Sequence, residues 1–431
     1  MPDRSQYPKS IERSTQRVSI QWGVLFIFIG LITIAILGGV KGFFFVLYGL
    51  GGILLVSWVW LSNNIRSIFI QRKFDDHAHF GQRIPVQLDL LNRGFWPILW
   101  LKIDEHLPVE LSTPNFFRSI ISLAPREKKQ FNYVLSCQKR GYYNIGPLEF
   151  QSGGFWGLFE GTKIRVSPQC LIVYPRIVPL THLRLPSQRP VGGLQSHQRL
   201  LDDPNRAFGV RPYITGDSLR KIDWKTTAAT NRLHVRRFQS SIALDGFIFL
   251  NLNVNEYKGR GIFSATEMGV TIAASLAAHL SQHRQSVGLS VLAEDPFAEK
   301  TDFFSIPMGK GTAHLMQLLE LLARAKRSPS PMPFDESLTL FSAGLPWGTI
   351  VFIITSIPGE PMYEVLLGLR KRGLQPVLIL TQAGGKFKLT HAKTKEIGVP
   401  CFRIERDRDL DIWREEEARV VRSQLLKSHS R

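Results

Sequence analysis

Two long apolar runs open the chain, and short apolar–polar alternations follow them. Trp22 to Val40 is almost wholly apolar, and Phe43 to Leu61 repeats the pattern. Each run has about 20 residues, the length a helix needs to span a hydrocarbon core. Only Lys41 and Gly42 separate them, so residues 18–62 are expected to form a transmembrane α-hairpin behind a basic tail over 1–17. A cleavable leader competes for the first run. It is disfavoured because no small-x-small site precedes a soluble chain and a second apolar run follows at once. A buried helical hairpin of a soluble protein is the remaining reading.

Residues 74–180 change period. Strand patterns fall at Ile84–Leu91, Leu99–Asp104, Phe116–Leu123, Lys129–Ser136, Leu148–Gln151 and Leu171–Tyr174, with breaks at Asn92-Arg93-Gly94, Ala124-Pro125 and Ser152-Gly153-Gly154. Repeated short strands of this kind predict a small β-sandwich. Residues 181–206, with Pro186, Pro190 and Gly192-Gly193, read as a linker.

Beyond Asp245 the pattern becomes α/β. Strands are predicted at Phe247–Leu252, Val287–Ala293, Thr349–Thr355, Pro376–Leu380 and Val399–Ile404. Helices are predicted at Ser264–His283, Thr312–Lys326, Glu360–Arg372 and Leu410–Leu426. Alternation of this kind implies a mainly parallel, doubly wound sheet, with ligands beyond the carboxyl ends of its strands.

Charge refines the placement. Arg4, Lys9, Arg13 and Arg17 precede the apolar runs, Arg66, Arg72 and Lys73 follow them, and Lys41 alone marks the turn. The positive-inside bias then sets a two-pass protein in the cell membrane with both termini cytoplasmic. The net charge of +19, from 54 basic and 35 acidic residues, suits an anionic lipid surface as partner. The basic residues are dispersed, and no nucleic-acid-binding motif appears, so specific nucleic acid is not expected. Cys137, Cys170 and Cys401 are few and far apart, which fits a reducing compartment and no disulfide framework.

Arg211 to Phe238 is the most patterned stretch. Arg211, Asp217, Arg220, Asp223 and Arg236 are interleaved with Tyr213, Ile222, Trp224, Leu233, Val235 and Phe238, and Gly216-Asp217 marks a turn. Opposite charges beside apolar residues predict an ordered, ion-paired segment, with Trp224 packed against an Asp217–Arg220–Asp223–Arg236 network. The pattern Arg-x-Tyr-x-x-Gly-Asp-x-x-Arg-x-Ile-Asp-Trp-Lys, followed by Leu-x-Val-Arg-x-Phe, resembles the signature of the bacterial domain of unknown function 58 family. Arg140-Gly141-Tyr142, Gly146-Pro147 and Gly157-Leu158-Phe159 resemble that family's middle region. The usual Asp-Pro-Phe-Gly-Leu-Phe is here Gly154-Phe155-Trp156-Gly157-Leu158-Phe159, with Phe155, Trp156 and Phe159 read as packing aromatics ahead of an exposed docking patch. The resemblance implies a membrane hairpin, a β-rich middle region, a C-terminal von Willebrand factor A-like domain over 207–431, and a MoxR-type AAA+ ATPase partner.

It also points to a metal frame. Von Willebrand A-like domains hold a cation with Asp-x-Ser-x-Ser after the first strand and an Asp after a later one. The matching positions are Asn251, Asn253 and Asn255, and Ser356-Ile357-Pro358 supplies no Asp. Neutral amides lack the charge that offsets Mg²⁺ dehydration, so the site is read as degenerate, without metal, and no cofactor is expected.

Other motifs are weak. Gly309-Lys310-Gly311-Thr312 precedes a helix but lacks a P-loop's approach, so a turn and helix cap is preferred to an anion cradle. His279 and His283, four apart on one helix face, have no adjacent Glu; His77 and His79 have no third ligand. Asp217 and Asp223 are the candidate carboxylates for acid–base chemistry, but nearby basic groups keep both ionised and favour a structural role. The expectation is a non-enzymatic, membrane-anchored, cytoplasm-facing scaffold or adaptor for protein partners. The alternative is a membrane-associated hydrolase using Asp217 or Asp223. Recruitment of nucleic acid or lipid by charge alone is a third reading.

Overall fold

The computed structural model describes residues 13–15, 19–20, 26, 29–30, 32–33, 41–152, 159–160, 162–180, 201–214, 222–241, 245–259, 261–296 and 302–413. The chain divides into two compact units: Met1–Arg176 with Leu319–Ala325, and Ile177–Leu318 with Lys326–Arg431.

The first unit is mostly sheet. Its strands are β1 (Arg13–Thr15), β2 (Ser19–Ile20), β3 (Ile68–Lys73), β4 (His77–Ala78), β5 (Arg83–Asn92), β6 (Ile98–His106), β7 (Phe116–Leu123), β8 (Lys128–Ser136), β9 (Gly141–Ile145), β10 (Leu148–Ser152), β11 (Phe159–Glu160), β12 (Thr162–Val166) and β13 (Gln169–Val173). They form a five-stranded sheet β1-β12-β10-β6-β7, three-stranded sheets β3-β5-β8 and β4-β13-β9, and the pair β11-β2. Alternation decides the core. Ile68, Ile70, Leu88 and Leu90 from one sheet cluster with Leu101, Ile103, Phe150 and Ile164 from another. Period-2 patterning presents one face of each strand inward, and burial of each large aliphatic side chain stabilises the unit by about 1.5–3 kcal/mol. Arg72 and Glu105 are also buried there, as an ion pair.

The expected membrane hairpin is corrected here. Among the described residues, no helix is long and apolar enough to cross a membrane. The second apolar run lies in helix α1, Lys41–Arg66. Gly49, Gly51 and Gly52 punctuate it, Leu54 packs against the β core, Ser57 is buried, and the Trp60 ring lies 6.5 Å from that of Trp96. Some of the run's side chains thus have partners in this unit. The first run, Trp22–Val40, lies mostly outside the described residues. The fold class that began with a membrane α-hairpin gives way to a chain built mainly from several sheets with helices between them. The two-pass location in the cell membrane, with both termini cytoplasmic, falls with the hairpin.

The second unit begins its described strands with β14 (Leu201–Pro212), which takes in the last residues of the expected 181–206 linker. It pairs with β15 (His234–Ser241) across helix α2 (Trp224–Thr230). Six further strands follow: β16 (Gly246–Asn251), β17 (Val287–Ala293), β18 (Asp302–Gly309), β19 (Ile350–Ser356), β20 (Gln375–Gln382) and β21 (Cys401–Arg403). Their order is β18-β17-β16-β19-β20-β21, parallel throughout except for β18. The connecting helices are α3 (Ile262–Gln282), α4 (Thr312–Arg324), α5 (Phe334–Phe341), α6 (Glu360–Lys371) and α7 (Phe387–Glu396).

Both faces of this sheet are covered. Phe247, Phe249, Val351, Ile353, Leu378 and Leu380 join Phe334, Leu338, Met362 and Leu366 in one cluster. On the opposite face a side chain at Gly269 of α3 would meet Leu250, Ile354 and Thr381 at 3.1–3.7 Å. That close approach explains the near-continuous apolar runs of β16 and β19. In this strand order the chain reverses direction between β16 and β19, which opens a crevice at their carboxyl ends.

Candidate functional site

Asn251 ends β16 at that crevice. Asn253 and a 3-10 turn at Val254–Glu256 follow. Asn251 Oδ1 accepts from Asn253 N at 2.9 Å, and Asn253 Oδ1 accepts from Asn255 N at 3.1 Å. These are consecutive side-chain-closed turns, the local structure that Asn favours. Asn253 Oδ1 also accepts from Ser330 N at 3.0 Å. The side-chain oxygens of Asn251 and Asn253 therefore accept from backbone N–H groups.

The amide nitrogens face a carboxylate instead. Asn251 Nδ2 donates to Glu256 Oε2 at 2.7 Å and to Thr355 Oγ1 at 3.0 Å. Asn253 Nδ2 donates to Glu256 Oε1 at 3.4 Å, and Phe334 N reaches the same oxygen at 2.8 Å. Asn255 Nδ2 donates to Ser330 O at 3.4 Å. Tyr257 Oη fastens Asn251 O at 2.8 Å, and Ser356 Oγ fastens Glu256 O at 2.5 Å. The hub of this turn is thus a carboxylate. Burial raises the Glu256 pKa, opposed by hydrogen bonds from Phe334 N, Asn251 and Asn253. Burial raises that of the Tyr257 phenol as well.

The Asn251 and Asn253 amides are thus engaged within the loop. Among the described residues no group of three or more His, Cys, Asp or Glu is placed to hold a metal. Glu256 escapes a reading of the sequence because it lies outside the metal frame. The available signal is three amides in alternation, which need an acceptor.

Around this knot the carboxyl ends of the strands carry basic and apolar side chains, with Glu294 after β17 and Glu405 after β21 as acidic neighbours. Lys258 is exposed, its backbone joined to the Gln382 side chain in both directions, at 3.0 and 2.6 Å. The Arg327 guanidinium stands 4.7 Å over the half-exposed Phe263 ring. Lys386 and Leu389, after β20, are exposed.

The signature is a separate strand–helix–strand unit. Arg211 pairs in register with Val235, and Val210 with Arg236. Tyr213 N donates to Leu233 O at 2.9 Å, and buried Ile222 bridges to Val235. Asp223 is the N-cap of α2, its Oδ1 accepting from Thr226 N at 3.0 Å. Trp224 is 68% exposed, which corrects the expectation that it packs: it is the first residue of a short helix and points outward. Gly216, Asp217 and Arg220 lie outside the described residues, as does the Arg236 side chain.

The weaker motifs resolve as structure. Gly311, at φ +93°, turns the chain into α4, and His314 Nε2 lies 2.8 Å from Val287 O. His279 is buried with Nδ1 2.7 Å from Leu180 O, and its ring meets that of His283 edge-on at 4.4 Å. His77 and His79 both pack against the Tyr174 ring. Phe155 and Trp156 lie outside the described residues, as does the Phe159 side chain.

The family match takes in the signature. Residues 209–368 match the family described as "Protein of unknown function DUF58". The segment that carries the signature is thus similar to DUF58 proteins. A curated relative, the uncharacterized protein YeaD of Bacillus subtilis (strain 168), is 24% identical over 269 residues. The match covers 61% of this chain and 63% of that relative's length. Among solved structures, the CARDB domain of the PF1109 protein from Pyrococcus furiosus is 12% identical, with a TM-score of 0.19, over 25% of this chain and 91% of that one. The C-terminal domain of wzt is 11% identical, with a TM-score of 0.19, over 26% and 75%. Scores so low say nothing further about this chain.

Proposed function

We propose that this protein is a non-enzymatic adaptor that offers the carboxyl end of its six-stranded sheet to an acidic protein partner. The Asn251–Asn253–Glu256 knot carries the reading. It closes the position where a cation would mediate binding, and leaves recognition to the surrounding Lys258, Arg327–Phe263 pair, Lys386 and Leu389. Charge complementarity of this kind sets specificity and association rate. The family resemblance supports a MoxR-type AAA+ ATPase as the partner to test first. The hydrolase alternative draws no support from Asp223, whose carboxylate caps a helix.

The test is biosensor binding of the full chain to a purified MoxR-type ATPase, with Mg²⁺ and with chelator. Equal affinity in both conditions is expected, with a loss of about tenfold in the Lys258→Glu/Arg327→Glu double variant. Binding that vanishes with chelator, or that ignores the charge reversal, overturns the reading.

A further inference from the structure

The loop between β5 and β6 carries two adjacent large aromatics in the open. Phe95 is 77% exposed and Trp96 59%. Isolated apolar residues on a surface are ordinary; a contiguous patch calls for a partner.

This loop is held from beneath. Asn92, fully buried, donates from Nδ2 to Trp96 O at 2.9 Å and to Ala124 O at 3.1 Å. Its Oδ1 accepts from Gly94 N at 2.9 Å and Ser67 Oγ at 3.1 Å. A side chain at Gly94 would meet Ser67 Oγ at 2.7 Å, so only glycine lets the loop close this tightly. The clamp holds the loop backbone, and Trp96 stays largely exposed although its ring neighbours Trp60, which reduces the ordering cost of docking the tip.

One guanidinium stands over the tip, and a second lies beside the loop on another ring. Arg126 lies 5.2 Å over the Phe95 ring, and Arg93 lies 4.1 Å over Phe69. Exposed Lys128 follows on β8. Arg126 is the third residue of a turn, with Pro125 before it and Glu127 N donating to Ala124 O at 3.2 Å. Its φ is +61°, in the region where such turns ordinarily place glycine. A strained position is thus occupied by a cation that stands over an exposed aromatic, the kind of outlier that motivates a functional hypothesis.

We propose that the Phe95–Trp96 tip, with Arg93 and Arg126, docks on an anionic lipid surface. Apolar rings beside arginines match the boundary between acyl chains and negatively charged headgroups, and the chain's charge of +19 favours the same surface. Resting on the interface requires no membrane-crossing helix. The proposal is independent of the adaptor reading, which concerns the other unit.

Flotation of the full chain with equimolar phosphatidylcholine–phosphatidylserine vesicles, against phosphatidylcholine alone, tests it. Wild type is expected to prefer the anionic vesicles, and Phe95→Ser/Trp96→Ser to lose about tenfold or more in partitioning. Arg126→Gly separates binding from folding. It relieves the backbone and should melt no lower than wild type, yet lose about fivefold in partitioning. Brominated lipid should quench wild type more than Trp96→Phe. Equal flotation on both vesicle types, or tip variants that float like wild type, overturns the proposal; in the second case the tip is left to a protein ligand.

Discussion

Arg72 Nη2 and Glu105 Oε1 lie 2.7 Å apart with side chains only 3% and 0% exposed, an ion pair removed from water within the first unit. Tyr133 Oη donates to Glu105 Oε2 at 2.8 Å, and Arg72 Nη1 donates to Ile145 O at 3.0 Å. Burial raises the Glu105 pKa against the pull of Arg72. Glu105→Gln leaves the guanidinium without its counter-charge and should cost about 3–5 kcal/mol, whereas Arg72→Met/Glu105→Leu should recover most of that loss. Urea unfolding of the three proteins checks the ordering.

Glu256 gives a pH dependence with a definite sign. Its folded-state pKa lies above the ordinary carboxylate value because of burial, so the folded chain holds this proton more tightly than the unfolded chain. The associated stabilisation is complete below the ordinary carboxylate range and is lost as pH rises through the raised value. Urea melts across that window should show a declining slope in wild type that is absent from Glu256→Gln. Equal slopes would count against an ionisable hub.

The amide frame should ignore magnesium. Titration calorimetry on the full chain is expected to show no saturable heat with Mg²⁺, since the oxygens of Asn251 and Asn253 already accept from backbone N–H groups. Saturable binding lost in Asn251→Ala would refute this.

At the signature, Asp223→Ala removes an N-cap and should cost about 1 kcal/mol. Trp224→Ala, at a largely exposed position, should stay within about 0.5 kcal/mol of wild type. A Trp224→Ala loss of several kcal/mol in thermal melts would restore the packed-network reading.

What the sequence disclosed follows how local each feature is. Phe116–Leu123 and Val287–Ala293 are strands with the expected bounds, because period and burial agree there. β18 was not legible, since Pro307 and Gly309 interrupt its apolar run. The polar α7, FKLTHAKTKE, offers little apolar periodicity. The three asparagines were visible as a frame, but Glu256 became meaningful only once a turn brought it back beneath them. The Phe95–Trp96 tip shows in sequence as a break, and the buried Asn92 clamp that gives it direction depends on contacts with Ser67 and Ala124.

The carboxylate hub also constrains how this domain can change over generations. Asn codons lie one base from those of Asp and of Ser, so an Asp-x-Ser-x-Ser frame is mutationally near. The first step, Asn251→Asp, would set a second carboxylate where an amide now donates to Glu256 Oε2 from 2.7 Å, and like charges at that range repel. A cation site built on these positions would require Glu256 to change first or at the same time. One half-buried carboxylate thus stands between this amide frame and a carboxylate one, although their codons lie close.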